Sequence, residues 1–251
     1  MSLALWMWCW LAGAAELYPP DDSILLQQSR WTRLSWDLPG QNFDLEVSSQ
    51  GRIVERSRLT FNYFELKVAP GQSYNWSVRS DRGSSHAGHF EVAATHEFHC
   101  DGQTGTGEPG GRVEARLERG NGRMQLFLSC PHHRLHYVFA DAGVKFLISA
   151  RGGKGRPGAP GLDVPNNPCH PGHPGGPGGW GGEVRISTLS VPWRDYLRVD
   201  VSGGEGGPGG RGGRALFSHV SGYDSPRPIG PTGPPGQPGR TGTVVTRIVQ
   251  P

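Results

Sequence analysis

Glycine recurs at every third position in four stretches of the C-terminal part of the chain, and this period restricts the possible folds more than any other feature. The first run has Gly152, Gly155, Gly158 and Gly161, and the second Gly172, Gly175, Gly178 and Gly181. The third has Gly203, Gly206, Gly209 and Gly212, and the fourth Gly230, Gly233, Gly236, Gly239 and Gly242. Residues 151–251 hold 26 Gly and 16 Pro, against 14 and 6 in residues 1–150. A stretch of this composition has few side chains to bury, so it cannot build a hydrophobic core. It does suit a polyproline II helix, whose three residues per turn would place one bare glycine face along its length.

The second and third runs double the glycine, with Gly176, Gly179 and Gly182, and with Gly204, Gly207, Gly210 and Gly213. A rod with one bare face accepts one close backbone neighbour; a rod with two can be flanked on both sides. The second and third runs are therefore expected as interior rods and the other two as edges. Gly206 and Gly207 mark the two faces of the third run. Apolar, alternating sequence adjoins each run: 144–150 leads into the first, 183–186 follows the second, 197–201 leads into the third and 244–249 follows the fourth. The pattern predicts four strands at one end, each continued by a rod of about 12 residues and ~37 Å. Backbone N–H to C=O bonds between rods would satisfy groups that a lone rod leaves to water.

The Gly-x-y runs also resemble collagen-like sequence, and Gly230-Pro231-Thr232-Gly233-Pro234-Pro235-Gly236-Gln237-Pro238-Gly239 is the closest match. That resemblance implies an intermolecular triple helix, and hence a trimer. Against it, the runs are short, their breaks at 162–171, 183–202 and 214–229 are long, and the second glycine removes proline. A disordered linker is the third arrangement. The strict period and the adjoining strands favour rods packed within one chain.

The N-terminal residues 1–15 read as a signal peptide. Leu3 to Leu11 is apolar, and Ala12-Gly13-Ala14-Ala15 supplies small residues for cleavage, although no Lys or Arg precedes the apolar core. The expectation is a secreted or cell-surface protein with no membrane span in the mature chain. Export leaves Cys100, Cys130 and Cys169, and an oxidising compartment favours a disulfide. Cys100 with Cys130 is the first choice, because both lie in one β-rich segment; Cys169 is then the odd thiol.

Residues 16–95 alternate as half-buried strands do, at 34–36, at Phe43-Asp44-Leu45-Glu46-Val47, and with Tyr74, Trp76 and Val78 pointing one way. Further strand-like pieces are 59–61, 64–68 and 89–92. This arrangement resembles a fibronectin type III domain. Trp36 matches its core Trp, and Val68, Pro70-Gly71 and Tyr74 match the corner in which a buried Tyr hydroxyl bonds to nearby backbone. The resemblance implies a spacer or binding platform. Asn75-Trp76-Ser77 fits a glycosylation acceptor.

Residues 96–150 carry strands at 112–118, 124–129, 135–139 and 144–150, with a hairpin signal at Gly120-Asn121-Gly122. They also hold much of the histidine. His99 and Cys100, Cys130 and His132, and Cys169 and His170 are candidate Zn²⁺ ligands. They have no tight Cys-x-x-Cys pair, and a disulfide with surface histidines explains them as well.

Lys+Arg 25 against Asp+Glu 22 gives a net charge of +3 with no basic run, which argues against nucleic acid. No Gly-x-x-x-x-Gly-Lys-Ser/Thr or nucleophile elbow occurs, so no catalytic residue and no cofactor is assigned. The fold class expected is all-β: an N-terminal sandwich (16–95), a β-strand region (96–150) and a Gly-rich polyproline II region (151–251). The function expected is structural or adhesive, at a cell surface or extracellular matrix, with surface proteins or polysaccharide as partners. A Cys/His metal-binding module and an accessory domain of a secreted hydrolase are the alternatives.

Overall fold

The computed structural model describes residues 17–27, 29–120, 123–131, 133–139, 143–165, 170–189, 192–216 and 229–249. The expected signal peptide (1–15) and the expected turn at Asn121-Gly122 lie outside these residues. The protein is all-β; among the described residues its helix content is one 3-10 turn, Trp193–Asp195. No helix among them is long and apolar enough to cross a membrane. The chain divides into two compact units. The first takes residues 1–95, 121–123 and 137–142; the second takes 96–120, 124–136 and 143–251. Most of 96–150, read separately from the sequence, thus shares one unit with 151–251.

The first unit contains β1 (Ser23–Leu26), β2 (Trp31–Ser35), β3 (Phe43–Ser49), β4 (Arg52–Leu59), β5 (Tyr63–Lys67), β6 (Ser73–Ser80) and β7 (Ser85–Val92). One sheet runs in the order Tyr137–Phe139, β1, β7, β6, β3, β4. The other pairs β2 with β5, and Tyr18 bridges Ser35 beside it. In β6 the inward Tyr74, Trp76, Val78 and Ser80 are buried while Asn75, Ser77 and Arg79 are exposed, as a period of two requires. The core gathers Leu25, Leu34, Trp36, Phe43, Leu45, Val47, Leu66, Val68, Trp76, Phe90 and Val138. Trp36 is fully buried, with Phe43 edge-on at 5.7 Å and Trp76 at 6.3 Å between ring centroids. Gly88 sits opposite Trp76, and a Cβ there would come within 2.9 Å of the indole nitrogen. The buried Tyr74 accepts a hydrogen bond from Ala69 N–H at 2.9 Å, one residue before Pro70. Gly71 then turns the chain with φ +72°.

One local reading is corrected here. The piece 59–61 is not a strand of its own. Leu59 ends the longer strand β4, and the chain bends at Thr60 and Phe61. No alternation marks β4, because it lies at the sheet edge and none of its residues is buried. The hairpin between β3 and β4 turns through Gln50 and Gly51, both at positive φ, the geometry that matches the twist of the paired strands.

The second unit contains β8 (Glu97–His99), β9 (Arg112–Gly120), β10 (Arg123–Cys130), β11 (His133–Phe139), β12 (Phe146–Ser149), β13 (Val164–Pro165), β14 (Glu183–Thr188), β15 (Leu197–Asp200), β16 (Ala215–Leu216) and β17 (Thr243–Ile248). Its larger sheet runs β17, β14, β9, β10 and into β11. A second sheet has the order β15, β12, β8. β12 is parallel to both of its neighbours, and β14 is parallel to β9 and β17. Val113, Ala115, Leu117, Leu126, Leu128, Val184 and Ile186 are buried on the first sheet, and Phe98, Phe146, Ile148 and Leu197 on the second. The short pair β13 and β16 lies beyond the first and third glycine runs in the chain.

Candidate functional site

The glycine runs occupy residues 151–163, 170–182, 201–213 and 230–242, which form neither strand nor helix. β12 runs into the first and β15 into the third; the second runs out into β14 and the fourth into β17. Parallel strand pairing therefore fixes which runs lie side by side, and the register continues beyond the strands. After Ala150 N–H bonds to Asp200, Gly152 donates to Ser202, Gly155 to Glu205, Gly158 to Pro208 and Gly161 to Arg211. Likewise Gly172 donates to Pro231, Gly175 to Pro234, Gly178 to Gln237 and Gly181 to Arg240, always at 2.8–3.0 Å.

The antiparallel bonds run mostly through the extra glycines of the doubled runs, as donors or as acceptors. Gly176, Gly179 and Gly182 donate to Arg156, Gly153 and Ala150 in the first run. Gly204, Gly207, Gly210 and Gly213 donate to Gly179, Gly176, His173 and His170 in the second. Gly230, Gly233, Gly236, Gly239 and Gly242 of the fourth run donate to Gly213, Gly210, Gly207, Gly204 and Val201 in the third. In each series the donor advances by three residues as the acceptor retreats by three. The second and third runs thus each have three run neighbours, and the first and fourth have two.

The absence of side chains is what lets these backbones meet. A Cβ on Gly206 would overlap the Gly236 carbonyl, and one on Gly207 the Arg156 carbonyl. Gly176 is looser, with Arg156 N at 3.2 Å from the same test position. Side chains leave only outward. Pro171, Pro174, Pro177 and Trp180 are exposed on the second run, beside the exposed Pro231, Pro234, Gln237 and Arg240 of the fourth. The Arg240 guanidinium lies 5.6 Å from the Trp180 ring centre, and Trp180 is 62% exposed. Between the first and third runs Lys154 pairs with Glu205 at 3.1 Å.

A fifth segment, 100–111, joins the same lattice. Gly102 donates to Arg151, Gly105 and Gly107 both to Lys154, and Gly110 to Trp180, while Gly153 donates to Glu108. The sequence reading missed it because its glycines break the strict triplet. The spacings of three from Gly102 to Gly105 and from Gly107 to Gly110 were the available signal.

At the start of this segment lie three of the expected sulfur and imidazole ligands, His99, Cys100 and Cys130. Cys100 and Cys130 are partly exposed, free thiols, and they are hydrogen-bonded to each other. The disulfide anticipated between them is therefore not formed in this structure. Burial, then the Cys130 thiol, pushes the Cys100 thiol up to about 11. His99 lies 3.3 Å from Glu97 and 3.1 Å from Asp101. Asp101 in turn accepts from the Ser149 hydroxyl at 2.6 Å and Arg151 N–H at 2.7 Å. Burial alone would raise the Asp101 carboxyl, but these bonds, His99 and the Arg151 charge hold it below the usual carboxylate range. Among the described residues no three His, Cys, Asp or Glu side chains gather as metal ligands. His170 is exposed on the second run, its carbonyl accepting Gly213 N–H; Cys169 and His132 lie outside the described residues.

No family model, curated protein or solved structure matches the chain.

Proposed function

We propose that the chain is an exported, non-catalytic protein that acts structurally or adhesively at a cell surface or in an extracellular matrix. In this reading the Gly-rich segments are polyproline II rods packed within one chain, and residues 16–95 are a fibronectin type III-like module. The observation that carries it is the hydrogen-bond lattice between the runs. Its three-residue repeat is the period of a polyproline II helix, and no glycine of the four runs has a positive φ. The module reading draws its support from the two-sheet strand order around Trp36 and from the Tyr74 bond to Ala69.

A lattice of this kind presents outward rows of side chains at intervals of about 9 Å along each rod. Most of the row formed by Pro171, Pro174, Pro177 and Trp180 has no rotamers to lose, so a partner would bind a surface already ordered. Such a row suits a flat or extended partner, a polysaccharide or another surface protein. The test is retention of the purified full chain on immobilised polysaccharides and matrix proteins. Retention that falls at least tenfold in Trp180→Ala supports the reading. No retention on any of these surfaces, or turnover of a polysaccharide by the chain, sinks it.

A further inference from the structure

We propose that Cys100 and Cys130 are a redox staple: oxidation joins them and clamps the base of segment 100–111 onto the glycine lattice. The geometry converges on one corner. Cys100 N–H donates to Ser149 at 2.8 Å, and its carbonyl accepts Gly111 N–H at 2.7 Å, which closes the segment on itself. Arg112 then begins β9, the sheet neighbour of β10, and Cys130 ends β10. Cys130 is thus brought beside the residues that hold Cys100. Gly111 makes room for the sulfur, since a Cβ there would overlap Cys100 Sγ.

The segment needs such a clamp. None of residues 101–111 is buried, so it is held by backbone bonds to the first and second runs and by no apolar core. Hydrogen bonds of that kind, near solvent, open easily. A covalent link at its root narrows the conformations open to the unfolded segment, as loop-closing disulfides do. The oxidant is a small-molecule or protein disulfide. One of the two cysteines attacks it as a thiolate and expels one thiol; the other then loses its proton, attacks the mixed disulfide and expels the second. Two protein thiols are oxidised and one external disulfide is reduced to two thiols.

The test uses the purified full chain with oxidised glutathione, read by peptide mass mapping and amide hydrogen exchange. The expected result is a cross-linked Cys100–Cys130 peptide, together with exchange across 101–111 at least tenfold slower than in the reduced chain. Exchange around Tyr74 should be unchanged. Cys130→Ser under the same oxidant should exchange like the reduced chain; if that variant fails to fold, the reduced parent supplies the same comparison. Pairing of either cysteine with Cys169, two thiols that persist under oxidant, or equal exchange with and without the bond would each overturn the staple. None of these outcomes depends on what the outward rows bind.

Discussion

The two units are held together by opposite means. In the first, large side chains fill the space between two sheets, and Trp36, Phe43, Trp76 and Phe90 are almost wholly removed from water. Its stability is mainly apolar burial, at roughly 25 cal/mol per Å². In the glycine lattice of the second unit nothing lies between neighbouring segments except backbone. There, the favourable contribution is closely spaced hydrogen bonding and dispersion, and it must offset the large entropy that glycine loses on ordering. A core tolerates an error of a methyl group by repacking. A backbone lattice has no side chain that can move aside, so most of its interior glycines are steric requirements.

This contrast is most sharply tested where a side chain is forced into the lattice. Gly207→Val and Gly206→Val should each abolish the cooperative melting of the second unit, beyond the ~1–3 kcal/mol of ordinary over-packing. Gly176→Ala should cost clearly less, because its test position is blocked only at 3.2 Å. Thermal melting of the full chain, followed by hydrogen exchange at 201–213, measures all three. A severe loss at one of Gly206 and Gly207 with a mild one at the other would point instead to a triple helix, where only one glycine of each pair is axial. Unchanged melting in both would leave the lattice without energetic weight.

The opposite manipulation empties the side-chain core. Trp36→Ala should destabilise the first unit by about 3–5 kcal/mol, measured as a shift of the denaturant midpoint read from exchange of β6 amides. A loss under ~1 kcal/mol would show that the unit does not depend on this packing. A smaller effect is expected from Tyr74→Phe, which strands the Ala69 N–H: about 1–3 kcal/mol if that donor stays dry. Equal stability of parent and variant would mean that water replaces the hydroxyl.

The smallest effect is a pH dependence of the second unit. Asp101 belongs to that unit, and its hydrogen bonds hold its carboxyl below its ordinary value against partial desolvation. A depressed carboxylate contributes stability that is present above its unfolded value near pH 4 and lost as pH falls through the folded one. The second unit should therefore weaken below about pH 4, and Asp101→Asn should flatten that decline. An acid-side slope identical in parent and variant would rule Asp101 out as its source.

Much of this organisation is written locally in the sequence. The triplet glycines, the doubled faces of the second and third runs and the strands adjoining them are all periodic signals, and so is the alternation of β3 and β6. Other elements carry no such signal. β1 pairs in parallel on both sides through Ser23-Ile24-Leu25-Leu26, of which Ser23, Leu25 and Leu26 are buried, so it shows a short run where a one-faced strand would alternate. β4 has no buried face to impose a period. Segment 100–111 enters the lattice although its glycines are irregularly spaced. Periodicity reports the shape of a segment and which of its faces are bare, because both follow from neighbouring residues. The identity of the neighbour is different in kind. Glycine backbones carry no chemical label that could pair Gly207 with Arg156, or bring Cys100 beside Cys130. Those pairings follow from the register that paired strands set across many intervening residues, and tertiary structure alone decides them.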